Sequence, residues 1–162
     1  MEIRDAEPSD LPAILEIYNE AVANTTASWD YEPWTPVQHA DWYAHKAELG
    51  FPLLVAEDDG VVVGYATYSA FREKIGYALT REHSVYLAPD ARGRGIGKLL
   101  MVRLIEVARR DGVHVLVGAL SADNEASIRL HESLGFAEVG RLPQTGRKFG
   151  RWLDLVYVQL VL

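Results

Sequence analysis

Apolar and polar positions along the chain change period several times, and each change marks an element. Ile3 to Ala6 is a short alternating run that predicts a first strand. Ser9 or Asp10 can cap a helix whose apolar residues, Leu11, Ile14, Leu15, Tyr18, Ala21 and Val22, recur at helical spacing. A polar and aromatic stretch, NTTASWDYEPW, separates this helix from the next. There Thr35, Pro36 and Gln38 form a capping box with proline at the first helical position, which predicts a helix to about Leu49.

The pattern then turns to strands. Leu53 to Glu57 and Val61 to Ser69 are β-branched and aromatic runs separated by Asp58, Asp59 and Gly60, an antiparallel hairpin signature. After a polar connection over residues 72 to 81, His83 to Leu87 reads as a strand closed by Ala88, Pro89 and Asp90. Leu99, Leu100, Val102, Leu104, Ile105 and Val107 predict a long, largely buried helix from Gly97 to about Arg110, stopped near Gly112. Val113 to Leu120 returns as a buried strand. Asp123 or Asn124 opens a last helix, which ends near Leu134 with Gly135 as its stop. Strands over Phe136 to Arg141 and Trp152 to Leu160 complete the order βααβββαβαββ, an α/β or mixed α+β arrangement.

With 162 residues and no linker or repeat, residues 1–162 are expected to form one domain around one core. A net charge of −7 argues against general nucleic-acid binding, which needs a basic face to displace counterions from phosphates. The chain has no cysteine, so disulfides, thiolate metal sites and cysteine nucleophiles are excluded. No His and carboxylate cluster has ligand spacing such as HExxH, and no metal is expected. The segment MEIRDAEPSD lacks an apolar signal core and no run is long enough to span a bilayer, so no membrane association is expected and a cytoplasmic location is the default.

Local charge tells a different story from net charge. Arg92, Gly93, Arg94, Gly95, Ile96, Gly97 and Lys98 join a strand to a helix. Backbone N–H groups there lack internal partners, the helix dipole favours negative charge, and glycines admit positive φ and close approach of an anion. The letters fail as a P-loop, because Arg92 stands at the first glycine position and Leu99 follows Lys98. They also fail as a dinucleotide fingerprint, since the glycines fall at 93, 95 and 97 and no acidic partner follows at the required distance.

Here the sequence resembles the GNAT acetyltransferases, whose acetyl-CoA signature Q/RxxGxG/A is matched by Arg92, Gly95 and Gly97. The strings EHSVYLAPDARGRGIGKLL, NEASIRLHESLGF and KFGRWLDL, with the early NTTASW, look like the branch of phosphinothricin and methionine sulfone or sulfoximine N-acetyltransferases. The resemblance implies the GNAT-type acyl-CoA N-acyltransferase fold: a mixed, mostly antiparallel sheet of about seven strands flanked by about four helices. It implies that the backbone of Gly93 to Lys98 holds the pyrophosphate of acetyl-CoA. Val85, Tyr86 and Leu87 would line the pantetheine arm as an added strand would, where two strands splay apart. It also implies a homodimer.

Acetyl transfer to an amine requires the nitrogen to lose a proton before attack. Glu82 is the first candidate to accept or relay it, the alternative being a surface glutamate paired with Arg81 or Arg72. Arg72 can clamp a substrate carboxylate with its planar fork, or be an ordinary solvated arginine. Glu73, Lys74, His83 and Ser84 are placed with it at the acceptor site. Asn124, Ser127 and His131 share one helix face. Asn124 is expected at the cofactor or as a helix cap. His131 stands where many GNAT members have tyrosine, so it is either the acid that protonates the leaving thiolate or structural. Trp29, Tyr31 and Trp34 form an aromatic wall over the substrate or pack on the core.

The expected reaction is direct transfer of acetyl from acetyl-CoA to the α-amino group of a small amino acid or analogue. Acetylation of another amine, such as a protein amino terminus, a polyamine or an aminoglycoside, is the second reading. A non-catalytic acetyl-CoA-binding module is the third.

Overall fold

The computed structural model describes residues 1–162. Its centre is a seven-stranded sheet: β1 (Glu2–Asp5), β2 (Leu53–Asp58), β3 (Val61–Ala70), β4 (Thr80–Leu87), β5 (Val115–Ser121), β6 (Ala137–Lys148) and β7 (Arg151–Val161). The spatial order is β1-β2-β3-β4-β5-β7-β6, and every neighbouring pair is antiparallel except β4 with β5. Four helices cover it: α1 (Leu11–Asn24), α2 (Pro36–Glu48), α3 (Ile96–Arg110) and α4 (Glu125–Glu132). The predicted order βααβββαβαββ and the mixed α/β class are therefore realised.

Strand alternation divides the core in two. Leu54, Ala56, Ala66 and Tyr68 face α3, where Ile96, Leu100, Met101 and Leu104 are fully buried. Leu53, Val55 and Tyr65 face Ile14 and Ile17 of α1. Each fully buried aliphatic side chain contributes about 1.5–3 kcal/mol relative to exposure, so the α3 face is the larger source of stability.

Both tight hairpins use positive φ to match the twist of their strands. Asp59 and Gly60 (φ 51° and 79°) join β2 to β3, and Phe149 and Gly150 (φ 53° and 74°) join β6 to β7. Thr35 caps α2 as expected, its Oγ1 accepting from Gln38 N at 3.2 Å while Gln38 Oε1 accepts from Thr35 N at 2.9 Å.

Several boundaries differ from the sequence reading. Asp10 does not cap α1 with its side chain; a one-turn 3-10 segment (Pro8–Asp10) leads into the helix. The Asp10 carboxylate instead accepts from Glu7 N at 2.7 Å and from both Arg4 terminal nitrogens, ending one side of the sheet. α3 buries only one face, since Leu99 and Val102 point to solvent. β6 runs seven residues past Arg141, held there by pairing with β7, and bulges near Gly140 and between Leu142 and Gly146 break the alternation that would have revealed it. β4 begins at Thr80, so Glu82 lies inside the strand, opposite Ser69 of β3 and Val117 of β5.

Candidate active site

The parallel ladder between β4 and β5 holds from Thr80↔Val115 to His83↔Gly118 and then ends, while β4 continues to Leu87 and β5 to Ser121. The strands diverge beyond that rung. Ala88 N–H donates to Val63 of β3 at 2.9 Å, so alternation turns the backbone groups of Val85 and Leu87 away from β3, into the gap. The splay is the feature expected to admit an extended amide-bearing arm.

At the mouth of the gap the glycine-rich turn enters α3. The N–H groups of residues 93 to 97 donate to no other protein group, whereas Arg92 N–H bonds Pro89 and Lys98 N–H bonds Gly95. Five consecutive free donors at a helix N-terminus make an anion cradle. Gly93 and Gly95 have φ of 74° and 80°, and a Cβ at either position would have nothing within 4 Å of it, so conformation alone demands glycine there. Gly97 differs: its φ is ordinary, and a Cβ would lie 3.3 Å from the Leu130 side chain of α4 and 3.5 Å from that of Leu87, a close fit in which Leu130 would have to shift by a few tenths of an ångström. Ile96 contributes only its N–H, since its side chain is buried in the core.

The flanking cations are less free than their sequence suggests. Arg92 pairs with Glu20 of α1, and Arg94 with Asp58 of the β2–β3 hairpin at 2.7 Å. Lys98 is exposed and has no ion pair within the chain. Backbone amides and Lys98 thus carry the cradle's free positive character.

The turn and the gap belong to one cleft of about 680 Å³. Val85, Tyr86, Leu87, Arg92, Gly93, Gly95, Gly97, Lys98 and Asn124 all line it, which brings together nearly the whole expected cofactor set. Asn124 is also the cap of α4, its Oδ1 accepting from Ser127 N at 3.2 Å. At the inner end lies a polar recess of about 50 Å³, bordered by Ser84, Ser121, Asn124, Ser127 and the two histidines 83 and 131.

Glu82, Ser84 and Tyr86 project from β4 toward α1 and α2. Glu82 is half-buried and forms no ion pair; Arg81, its sequence neighbour, is engaged with the carbonyls of Ala78 and Thr80. Burial pushes the Glu82 carboxyl above the usual range, and the nearby charge of Arg72 partly opposes this. Arg72 is near enough for its charge to act on Glu82, although no ion pair joins them, and its guanidinium lies 5.0 Å from the Phe71 ring centroid. Glu73 and Lys74 are exposed beside them and make no side-chain hydrogen bond.

His83 departs from the expected substrate set. Alternation sends its ring to the opposite face from Glu82 and Ser84, where it is buried against Phe136 and over Gly118. His83 Nε2 and His131 Nε2 are 2.7 Å apart, and His131 Nδ1 lies 2.7 Å from the Ser127 carbonyl. A carbonyl only accepts, so His131 carries its proton on Nδ1 and His83 donates from Nε2. His83 Nδ1 is then a buried acceptor without a partner. Burial lowers both pKa values, His83 to about 3. Both nitrogens of His131 are thus committed, leaving it no free proton to offer a thiolate.

Trp29 packs its ring on Gly146 of β6, where any Cβ would collide with it, and lies outside the cleft lining. Tyr31 OH donates to the Arg147 carbonyl, and Trp34 Nε1 donates to Asp30 at 3.0 Å while packing edge-on against Tyr18. The aromatic loop is thus fixed to the body of the protein. The site set read from sequence missed Thr25, Thr26, Ala27, Asp123, Phe149 and Arg151, which also line the cleft. The strings NTTASW and KFGRW were the only sequence signal for all of these but Asp123, which the sequence offered only as a helix opener.

A mixed sheet opened between two parallel strands, with a row of free amides at the mouth of the gap, defines an acyl-CoA-type transferase fold. The chain belongs to the Acetyltransferase (GNAT) family, whose family model matches residues 13–136. It is 51% identical to the L-methionine sulfoximine/L-methionine sulfone acetyltransferase of Pseudomonas aeruginosa over 161 residues, covering 99% of this chain and 94% of that protein. The crystal structure of a ribosomal-protein-alanine N-acetyltransferase from Brucella melitensis superposes with a TM-score of 0.98 at 50% identity, covering all of both chains. A phosphinothricin acetyltransferase from Sinorhizobium meliloti, solved in complex with AcCoA, gives a TM-score of 0.97 at 39% identity, covering 99% of this chain and 88% of that one. No helix is long and apolar enough to cross a membrane.

Proposed function

We propose that this protein is an N-acetyltransferase that moves acetyl from acetyl-CoA to the α-amino group of a small amino acid or analogue, of the methionine sulfone, methionine sulfoximine or phosphinothricin type. The observation that carries the reading is the row of free amides at residues 93 to 97, continuous with the gap beside Val85 and Leu87. The names borne by its relatives support the acceptor class.

Acetyl-CoA supplies an activated acetyl thioester. The amides of residues 93 to 97 and Lys98 hold a diphosphate, and the edge of β4 holds an amide-bearing arm by backbone pairing. Asn124 and Ser127 border the inner end. Glu82, kept basic by burial, accepts a proton from the substrate ammonium directly or through a water. Of the two protons the ammonium loses in forming an amide, one ends on the thiol product and one in solvent. Arg72, beside Glu82, clamps the carboxylate, with Glu73, Lys74 and Ser84 around the acceptor. His131 is assigned a structural role, because both its ring nitrogens are occupied. The enzyme acts as a single domain, in the cytoplasm and as a homodimer; exposed Val139, Leu142 and Trp152 on the β6–β7 hairpin offer a surface for that contact.

Free-thiol release measured over amino acids, methionine sulfone, methionine sulfoximine and phosphinothricin tests the substrate class. Turnover of a peptide amino terminus in preference to all of these would transfer the assignment to the second reading, toward which the Brucella relative's name points. Arg72→Ala is expected to raise KM for the amino acid about tenfold or more, the loss of one charge-assisted bond or two, with acetyl-CoA KM unchanged. An unaltered amino-acid KM would remove Arg72 from the site.

A further inference from the structure

Two strings that the reaction does not account for, NTTASW and KFGRW, meet in space and border the cofactor cleft. Lys148, 3% exposed, ends β6 and donates from Nζ to the carbonyls of Thr25 at 2.8 Å and Ser28 at 2.6 Å. Trp29 lies on Gly146, and Tyr31 OH donates to the Arg147 carbonyl. On the other side, Asp123 accepts from Thr26 at 2.8 Å and Ser121 at 2.6 Å and pairs with Arg151. The loop, the hairpin and the start of α4 are therefore bound into one wall by buried or shared polar groups.

Phe149 stands at the tip of that wall. It is 57% exposed, lines the cleft of about 680 Å³, and holds a left-handed φ of 53° that phenylalanine rarely adopts. The Lys148 ammonium lies 5.0 Å from its ring centroid, which fixes the ring from behind. No core contact explains a large apolar side chain in this position, and a ligand in the cleft would bury it.

We propose that Phe149 is a cofactor-contacting residue, covering the pantetheine arm of acetyl-CoA, and that Lys148 is the positioning residue that holds it and the Thr25–Ala27 loop in place. This rests on the acetyl-CoA reading above and adds a second wall to the cleft that β4 and the glycine turn already form. An aromatic face suits the arm, whose methyl groups and flat amides pack against a ring without needing a directional partner.

The test is calorimetric titration of the full-length protein with coenzyme A, together with steady-state kinetics. Phe149→Ala, at an exposed position, is expected to weaken coenzyme A binding about tenfold, and Phe149→Trp to restore it to within about twofold. Lys148→Met, which keeps the stem and loses the ammonium, is expected to raise acetyl-CoA KM about tenfold with a smaller fall in kcat. Because the two residues share one wall, the double variant should lose less than the product of the single losses. Wild-type binding retained in Phe149→Ala overturns this inference alone. Failure of the unmutated protein to bind coenzyme A overturns the acetyl-CoA reading and this inference with it. If Lys148→Met fails to fold, the Phe149 series still decides.

Discussion

Glu82→Gln is expected to lower kcat/KM for the amino-acid acceptor by about 10²–10⁴-fold near neutral pH, the usual contribution of a positioned general base. Coenzyme A binding should be unchanged, because Glu82 projects to the α1 and α2 face and lies outside the diphosphate cradle. Glutamine keeps the shape and loses only the proton-accepting charge. In the wild type, activity should rise with pH through the Glu82 titration, which burial has moved above the usual carboxylate range. The variant should lose that limb and follow the acceptor amine instead. The same shift has a stability consequence of opposite sign. A carboxyl whose folded pKa is raised above its unfolded value binds its proton more tightly when folded, so ionising it costs stability as pH rises through the folded pKa. Glu82→Gln removes that cost, so it should hold or raise Tm at pH values where Glu82 is ionised, while activity falls. Full activity in the glutamine variant would remove Glu82 from the chemistry.

His131→Ala is expected to be the most destabilising single change in the site, by about 3–5 kcal/mol. Removing a fully buried ring leaves a cavity, and the His83 Nε2–H loses its only acceptor. Denaturant unfolding measures this directly. The histidine pair also sets an acid limit. Both folded pKa values lie below the ordinary histidine value, so the pair's stabilisation is complete above about pH 6.5 and is lost as pH falls toward the folded value of about 3 for His83. The alanine variant should therefore be less stable at pH 7 and less steeply acid-sensitive between pH 6.5 and pH 4. If instead His131→Ala folded with wild-type stability and lost thiol release specifically, the structural assignment would be wrong and the acid role restored.

Much of the fold was legible because its signals are local. The hydrophobic period, the Thr35–Gln38 box and the glycines at 60, 112 and 135 act over a few residues, and each reappears where the pattern put it. β6 was less legible past Arg141: its bulges destroy the two-residue alternation by which a strand is recognised, and it forms there because β7 offers it a partner. The sequence reading began this strand one residue after Glu82 for a related reason, since the polar run Thr80, Arg81 and Glu82 gives no apolar signal.

The anion turn shows the same division at the scale of a site. Alternating glycines between a strand and a helix dictate a cradle of free amides, because positive φ at Gly93 and Gly95 is a property of those residues themselves. Sequence alone also settled the family, through motifs spread over most of the chain. Only the tertiary structure decided that Arg92 and Arg94 are held by Glu20 and Asp58, that His83 turns away from Glu82 to lock His131, and that Lys148 joins two distant strings into one wall. Those outcomes depend on which groups meet across the sheet, at separations of tens of residues, and no local period or spacing encodes such a meeting.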